Sequence, residues 1–228
     1  MFFQRRAPVF CQGGIRLAWL YVISNRRLVG SRSLVDLAAG MAGADYFQLR
    51  EKDLPAGELY NLAREIKRVL PSPVRLIIND RLDVAMAAGA DGVHLGEASL
   101  PTDVARRLLG PGKILGVSVH SVAAARQAAA AGADYLLFGH IFPTASKESL
   151  PPRGLVSLRE VAASVGIPIF ALGGITVDRV ASCLAAGAVG VAVMSGVMAA
   201  ADPAGAVAAY RKALDMVGKG VKTGAGKN

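Results

Sequence analysis

"AGADYFQLR", residues 42–50, recurs almost unchanged as "AGADGVHLG" at 88–96, "AGADYLLFG" at 131–139 and "AGAVGVAVM" at 186–194. Each copy has the pattern of a helix ending in small residues, a glycine, a short turn and an apolar strand. A glycine directly after a helix is the usual left-handed cap, because it alone takes positive φ without a Cβ clash. The four glycines, at 43, 89, 132 and 187, lie 46, 43 and 55 residues apart. That interval is too long for one strand-helix unit and suits two.

The pattern supplies the intervening strands. Apolar runs at 20–24, 74–79, 113–119 and 167–172 alternate with the four strands of the repeat, and helical stretches fall at 56–70, 101–109, 121–131 and 177–186. Continuously apolar strands, each followed by a helix, predict a parallel sheet buried on both faces. Eight such units in one chain predict a (β/α)8 TIM barrel. The expected organisation is an N-terminal extension at 1–17, a single barrel domain at 18–216 and a basic flexible tail at 217–228. A doubly wound open sheet is the alternative, but no G-x-G-x-x-G turn follows the first strand.

Composition narrows the function classes. Of 228 residues, 53% are hydrophobic, which excludes a disordered chain. The net charge of +9 is scattered, with Arg5, Arg6, Arg26, Arg27 and lysines 212, 219, 222 and 227 lying toward the ends. With aromatics at 6% and no basic stretch interleaved with rings, the charge predicts an anionic metabolite and no nucleic acid. Cys11 and Cys183 form neither a metal spacing nor a disulfide framework, so a cytoplasmic protein is expected. Residues 180–201 run 22 positions without a charge, yet include three glycines and two serines and change from helical to strand-like. They predict a buried helix and strand, and no membrane partner. The start, MFFQRRAPVFCQGG, lacks the continuous apolar core of a signal peptide. A homo-oligomer stays open.

A barrel places its chemistry at the C-terminal ends of the strands. Strand 2 ends in Gln48-Leu-Arg50-Glu-Lys52, strand 3 in Asn79-Asp80 and strand 4 in His94; strand 5 ends in Ser118 and His120, and strand 6 in His140. All three histidines of the chain therefore fall on one rim, as acid/base groups, metal ligands or packing residues. They come from separate strands, so spacing cannot test a zinc site. Asp80 alone is a weak magnesium anchor without substrate oxygens. Gly173-Gly174 after strand 7 and Ser195-Gly196 after strand 8 match the phosphate loops of such barrels, with Lys147 a further charge.

"QLREK" at 48–52, "INDRLDVA" at 78–85, "GADGVHLG" at 89–96, "LGVSVHS" at 115–121, "IFPTASK" at 141–147 and "LGGIT" at 172–176 resemble, in order, thiamine phosphate synthase and its TenI relatives. The resemblance implies a barrel that binds a thiazole phosphate at its mouth. The synthase branch joins a pyrimidine diphosphate to the thiazole with magnesium on the aspartate of the N-D pair and on a second aspartate after strand 4. Here that second motif is Gly96-Glu-Ala-Ser99, with serine at the carboxylate position, and Gly139-His140 stands where synthases carry Gly-Pro.

On those two departures the expected function is the TenI one: thiazole tautomerase, with His140 moving the proton and no metal or cofactor. Gly173, Gly174, Ser195 and Gly196 would then hold the phosphate with Thr144 and Lys147, while Arg50, Asn79, Ser118 and His120 line the ring and carboxylate end. The alternatives are thiamine phosphate synthase, which would need Mg2+, and a non-catalytic phosphate-ligand binder.

Overall fold

The computed structural model describes residues 18–147 and 149–222. Eight strands, β1 (Trp19–Ile23), β2 (Tyr46–Leu49), β3 (Arg75–Asn79), β4 (Gly92–Leu95), β5 (Ile114–Val119), β6 (Tyr135–Gly139), β7 (Ile169–Leu172) and β8 (Gly190–Val193), pair in parallel and in sequence order. The β1–β8 pairing closes the barrel. Helices α1 (Leu34–Ala39), α2 (Ala56–Val69), α3 (Leu82–Ala87), α4 (Thr102–Leu109), α5 (Val122–Ala130), α6 (Gly154–Ser164) and α7 (Val180–Ala185) fill the crossovers. After β8 come the single turn α8 (Ser195–Met198) and the long α9 (Pro203–Lys222). The expected (β/α)8 TIM barrel is the observed fold. The expected extension at 1–17 and residues 223–228 of the tail lie outside the described residues; α9 runs on past 216 to Lys222.

The repeat has a structural reason at both of its marked residues. Gly43, Gly89, Gly132 and Gly187 all take left-handed φ, between 64° and 104°, as the sequence predicts. The aspartates make a reciprocal pair with the strand before them. Asp45 N donates to Leu20 O at 2.8 Å, and Leu20 N donates back to Asp45 Oδ2 at 2.7 Å. Asp91 does the same with Leu76, and Asp134 with Leu115. The fourth copy carries Val189, whose N–H still donates to Ile169 O but whose side chain returns nothing.

These pairs sit at the N-terminal rim, away from the chemistry. Asp91→Ala would leave the Leu76 N–H without its carboxylate acceptor, a loss of about 1–3 kcal/mol for a buried donor. Thermal unfolding should show a midpoint lowered by several degrees, restored in Asp91→Asn, with turnover at 25 °C unchanged. An unchanged midpoint in Asp91→Ala would refute the pairing's role.

Two apolar layers result. One lies between the sheet and the helices, with Leu20, Val22, Phe47, Leu76, Ile78, Leu136 and Val191 on the outward strand positions. The other fills the barrel with Tyr21, Tyr46, Tyr135, Phe170 and their aliphatic neighbours. The four rings contact each other with centroids 5.4–6.1 Å apart. Residues 180–201 form α7, β8 and α8, and no described helix is long and apolar enough to cross a membrane.

Candidate active site

Side chains alternate along a strand, so counting in twos from the interior residues reaches the floor of the C-terminal mouth. From Tyr46, Ile77 and Ile114 the count arrives at Gln48, Asn79 and Ser118, and β4 contributes His94. Gln48 Nε2 donates to Asn79 Oδ1 at 2.9 Å. The His94 ring is buried, with Nδ1 3.1 Å from the Tyr135 hydroxyl and Nε2 2.8 Å from Ser118 Oγ. On the remaining strands the interior ends in Ile23, Leu137, Leu172 and, just past β8, Met194. The floor thus has a polar half on β2–β5 and an apolar half on β6–β1.

A buried carboxylate fixes the loop after β2. Ser24 Oγ donates to Glu51 Oε1 at 2.6 Å and accepts the Arg50 N–H at 2.8 Å. The Arg26 N–H lies 3.1 Å from both Glu51 oxygens, and its guanidinium bridges Glu51 and Asp53. The loop that carries Arg50 and Lys52 is therefore tied to the loop after β1. Burial, with the Arg50 charge second, pushes the His94 pKa down to about 3, so this ring is neutral at working pH.

Just past β5 and β6 the histidines hold backbone. His120 Nδ1 donates to Gly139 O at 2.8 Å, and its Nε2 is 3.4 Å from Glu97. Burial lowers the His120 pKa against the opposing pull of Glu97, with Lys147 and Arg153 adding positive charge nearby. His140 is 5% exposed, and its Nε2 donates to the Leu150 carbonyl at 3.1 Å. The same loop is held at its far end by the Arg153 N–H on His140 O. Thr144, Lys147, Ser149, Leu150 and three prolines of this loop line a cleft of about 590 Å³.

Gly173 and Gly174, at φ 95° and 64°, let the turn after β7 lie directly against residues 140–143. A Cβ on Gly173 would stand 2.6 Å from His140 Cα, and one on Gly174 would stand 2.5 Å from Pro143 O. Ser195 and Gly196 are the first residues of α8, positions whose N–H groups have no partner within a helix. The turn after β7 lies against residues 140–143, and β8 is the neighbour of β7, so both glycine loops fall at the apolar half of the mouth. Ser118 and His120, expected as one lining group, go separate ways: the first bonds to His94, the second spans to Gly139.

Asp80 occupies left-handed φ, 66°, as the only described non-glycine residue to do so. It is exposed, and its carboxylate makes no hydrogen bond among the described residues. No group of three or more His, Cys, Asp or Glu side chains is placed to cage a metal among them. One unencumbered carboxylate suits magnesium, which dehydrates reluctantly and is typically held by one or two carboxylates together with substrate phosphates. At the serine-substituted position, Ser99 Oγ accepts the Gly96 N–H at 2.7 Å and closes a turn. Glu97 is exposed, with Oε1 3.4 Å from His120 Nε2.

Sequence reasoning passed over Gln48 as a site residue. It is 1% exposed, and its Oε1 is buried with no hydrogen-bond partner among the described residues. An unsatisfied buried acceptor in a native mouth calls for a ligand donor or water. The available signal was a glutamine at an inward position of a parallel strand.

Comparison with known proteins adds a family. Residues 20–197 match the family described as thiamine monophosphate synthase. A thiamine-phosphate synthase of Roseiflexus castenholzii is 48% identical over 194 residues, covering 83% of this chain and 85% of that protein. One of Moorella thermoacetica is 48% identical, covering 86% and 95%. Among solved structures, thiamine phosphate pyrophosphorylase from Pyrococcus furiosus superposes with a TM-score of 0.80 at 37% identity, covering 89% of this chain and 98% of that one.

These findings correct the expected function. The relatives carry the synthase name, so the thiazole tautomerase expectation is overturned in favour of the synthase alternative. Two physical reasons explain the error. Ser99 was weighed as the loss of a metal site, whereas it closes a turn and leaves Asp80 available. The His140 ring, read as aimed at substrate, places its Nε2–H on the loop carbonyl.

Proposed function

Because the chain belongs to the thiamine monophosphate synthase family, we propose that it joins hydroxymethylpyrimidine diphosphate to thiazole phosphate, forming thiamine phosphate and releasing pyrophosphate. The supporting observation is that the mouth offers two anion-binding sides. A tautomerase would set a single carboxylate on the first of them; a diphosphate makes fuller use of the Arg50 and Lys52 charges carried there.

On the first side, Arg50 and Lys52 are carried by the loop tied through Glu51, beside Asn79 and Asp80. This side takes the diphosphate, and the free Gln48 Oε1 accepts a hydrogen bond from a substrate N–H. Negative charge grows on the leaving pyrophosphate as its bond to the pyrimidine methylene carbon breaks, and fixed cations stabilise that charge. Magnesium on Asp80 would supply further charge neutralisation. On the second side, Gly173, Gly174, Ser195 and Gly196 hold the thiazole phosphate through backbone N–H groups, with Thr144 and Lys147 above. The apolar half floored by Leu137, Leu172 and Met194 receives a ring.

Incubation with both substrates and magnesium should yield thiamine phosphate and pyrophosphate in equal amounts, and chelation of the metal should stop it. No product from folded protein at saturating substrates and magnesium would overturn this reading.

A further inference from the structure

Below Ser118, a hydrogen-bonded chain crosses the barrel interior: Tyr21 hydroxyl to Tyr135 hydroxyl at 2.7 Å, Tyr135 hydroxyl to His94 Nδ1 at 3.1 Å, His94 Nε2 to Ser118 Oγ at 2.8 Å. The partners come from β1, β6, β4 and β5. The arrangement is built for, since β5 carries Gly116 beside both rings, in register with His94 on one side and Tyr135 on the other. Any side chain at 116 would occupy the place of the Tyr135 ring, with its Cβ 2.5 Å from Cε1.

Counting protons decides which way the chain points. A neutral imidazole has one N–H and one lone pair, and each hydroxyl has one hydrogen to give. Suppose Ser118 donates to His94 Nε2. Then His94 Nδ1–H donates to Tyr135, Tyr135 donates to Tyr21, and the Tyr21 O–H, fully buried with Tyr135 its only hydrogen-bond partner among the described residues, has no acceptor. Reversing every bond removes the problem. Tyr21 donates to Tyr135, Tyr135 to His94 Nδ1, and His94 Nε2–H to Ser118 Oγ. No buried donor is stranded, and a buried donor without an acceptor is the costlier fault. In this direction Ser118 accepts from below, and its own hydrogen is left for whatever lies above it.

We infer that Tyr135 and His94 are positioning residues that hold the Ser118 hydroxyl as a hydrogen-bond donor toward the mouth, so that the site prefers a substrate acceptor atom there. Resting on the condensation reading, this makes the polar half selective for a substrate oxygen or ring nitrogen with a free lone pair over Ser118. An N–H at that point would take the second Oγ lone pair and leave the Ser118 hydrogen without an acceptor. Tyr21 only completes the count, because Tyr135 donates to His94 with or without it.

Nitrogen-15 NMR of the histidine rings reads the direction, with His94→Gln identifying the signals. At neutral pH His94 should show a protonated, pyrrole-type Nε2 and a pyridine-type Nδ1. The opposite tautomer overturns the inference. Tyr135→Phe should abolish the single fixed tautomer and lower kcat about tenfold or more, as for the loss of one oriented hydrogen bond, with KM for both substrates changed little. Tyr21→Phe should keep the tautomer and retain kcat within about threefold. Equal kcat losses in the two variants would mean that the tyrosines serve only to fill the core, and would also overturn it. The NMR signature needs no turnover: an Nε2–H tautomer in a protein that makes no thiamine phosphate would remove the proposed activity and leave the direction of the chain standing.

Discussion

Asp80→Asn should cut kcat for thiamine phosphate formation by about a hundredfold or more, the scale of losing one charge-stabilising group at a reacting centre, without loosening the fold. Asparagine suits this test because it tolerates left-handed φ as well as aspartate does, so the backbone at φ 66° stays in place. The Asp80 N–H bond to His94 O at 2.8 Å is also kept. What changes is a charge on an exposed side chain, and surface changes of that kind move stability by about 0.5 kcal/mol or less. The magnesium concentration giving half-maximal rate should rise steeply, because one carboxylate with substrate oxygens is the whole of the anchor proposed here. Steady-state kinetics over a magnesium series, beside a thermal melt, would check it. Parental magnesium dependence in Asp80→Asn would place the metal elsewhere and sink the assignment.

Gly173→Ala is expected to be the most damaging single methyl group at the mouth. Two costs add: an alanine forced to φ 95°, and a Cβ placed 2.6 Å from His140 Cα, where backbone cannot swing aside. Left-handed strain is about 1–2 kcal/mol and overpacking about 1–3 kcal/mol, so the thermal midpoint should fall on the order of 10 °C. Gly110→Ala is the control, since it has φ 66° but nothing within 4 Å of the added carbon. It should show only the backbone part. KM for the thiazole phosphate should rise in Gly173→Ala and not in Gly110→Ala. Equal melting points for the two variants would show that the turn after β7 yields to the new side chain.

The architecture was legible because its evidence is periodic. The AGAD copies mark every second unit, and the strands between them are apolar throughout. The rim followed from the same count, which is why Asn79, Ser118, His120 and the glycines of β7 all fall at strand ends. The contacts between rim residues were not legible. Tyr21 meets Tyr135 across 114 positions and Tyr135 meets His94 across 41, and no spacing rule connects them. The direction of the His140 ring depends on a loop carbonyl ten residues on, which composition does not reveal. Ser99 misled for a related reason: a missing carboxylate was visible in the sequence, while the turn its hydroxyl closes appears only in three dimensions.

The aspartate pairs at the N-terminal rim also bear on how the barrel breathes. Three two-strand modules, β1–β2, β3–β4 and β5–β6, are each stapled by a side chain back onto their own first strand; the module β7–β8, with Val189, is not. Local opening follows the distribution of such ties, so hydrogen exchange is expected to be fastest in the last module. Its far end carries both glycine loops. On the proposed reading, amide exchange should be slowest under the strands of the diphosphate side and fastest under the loops assigned to the thiazole phosphate.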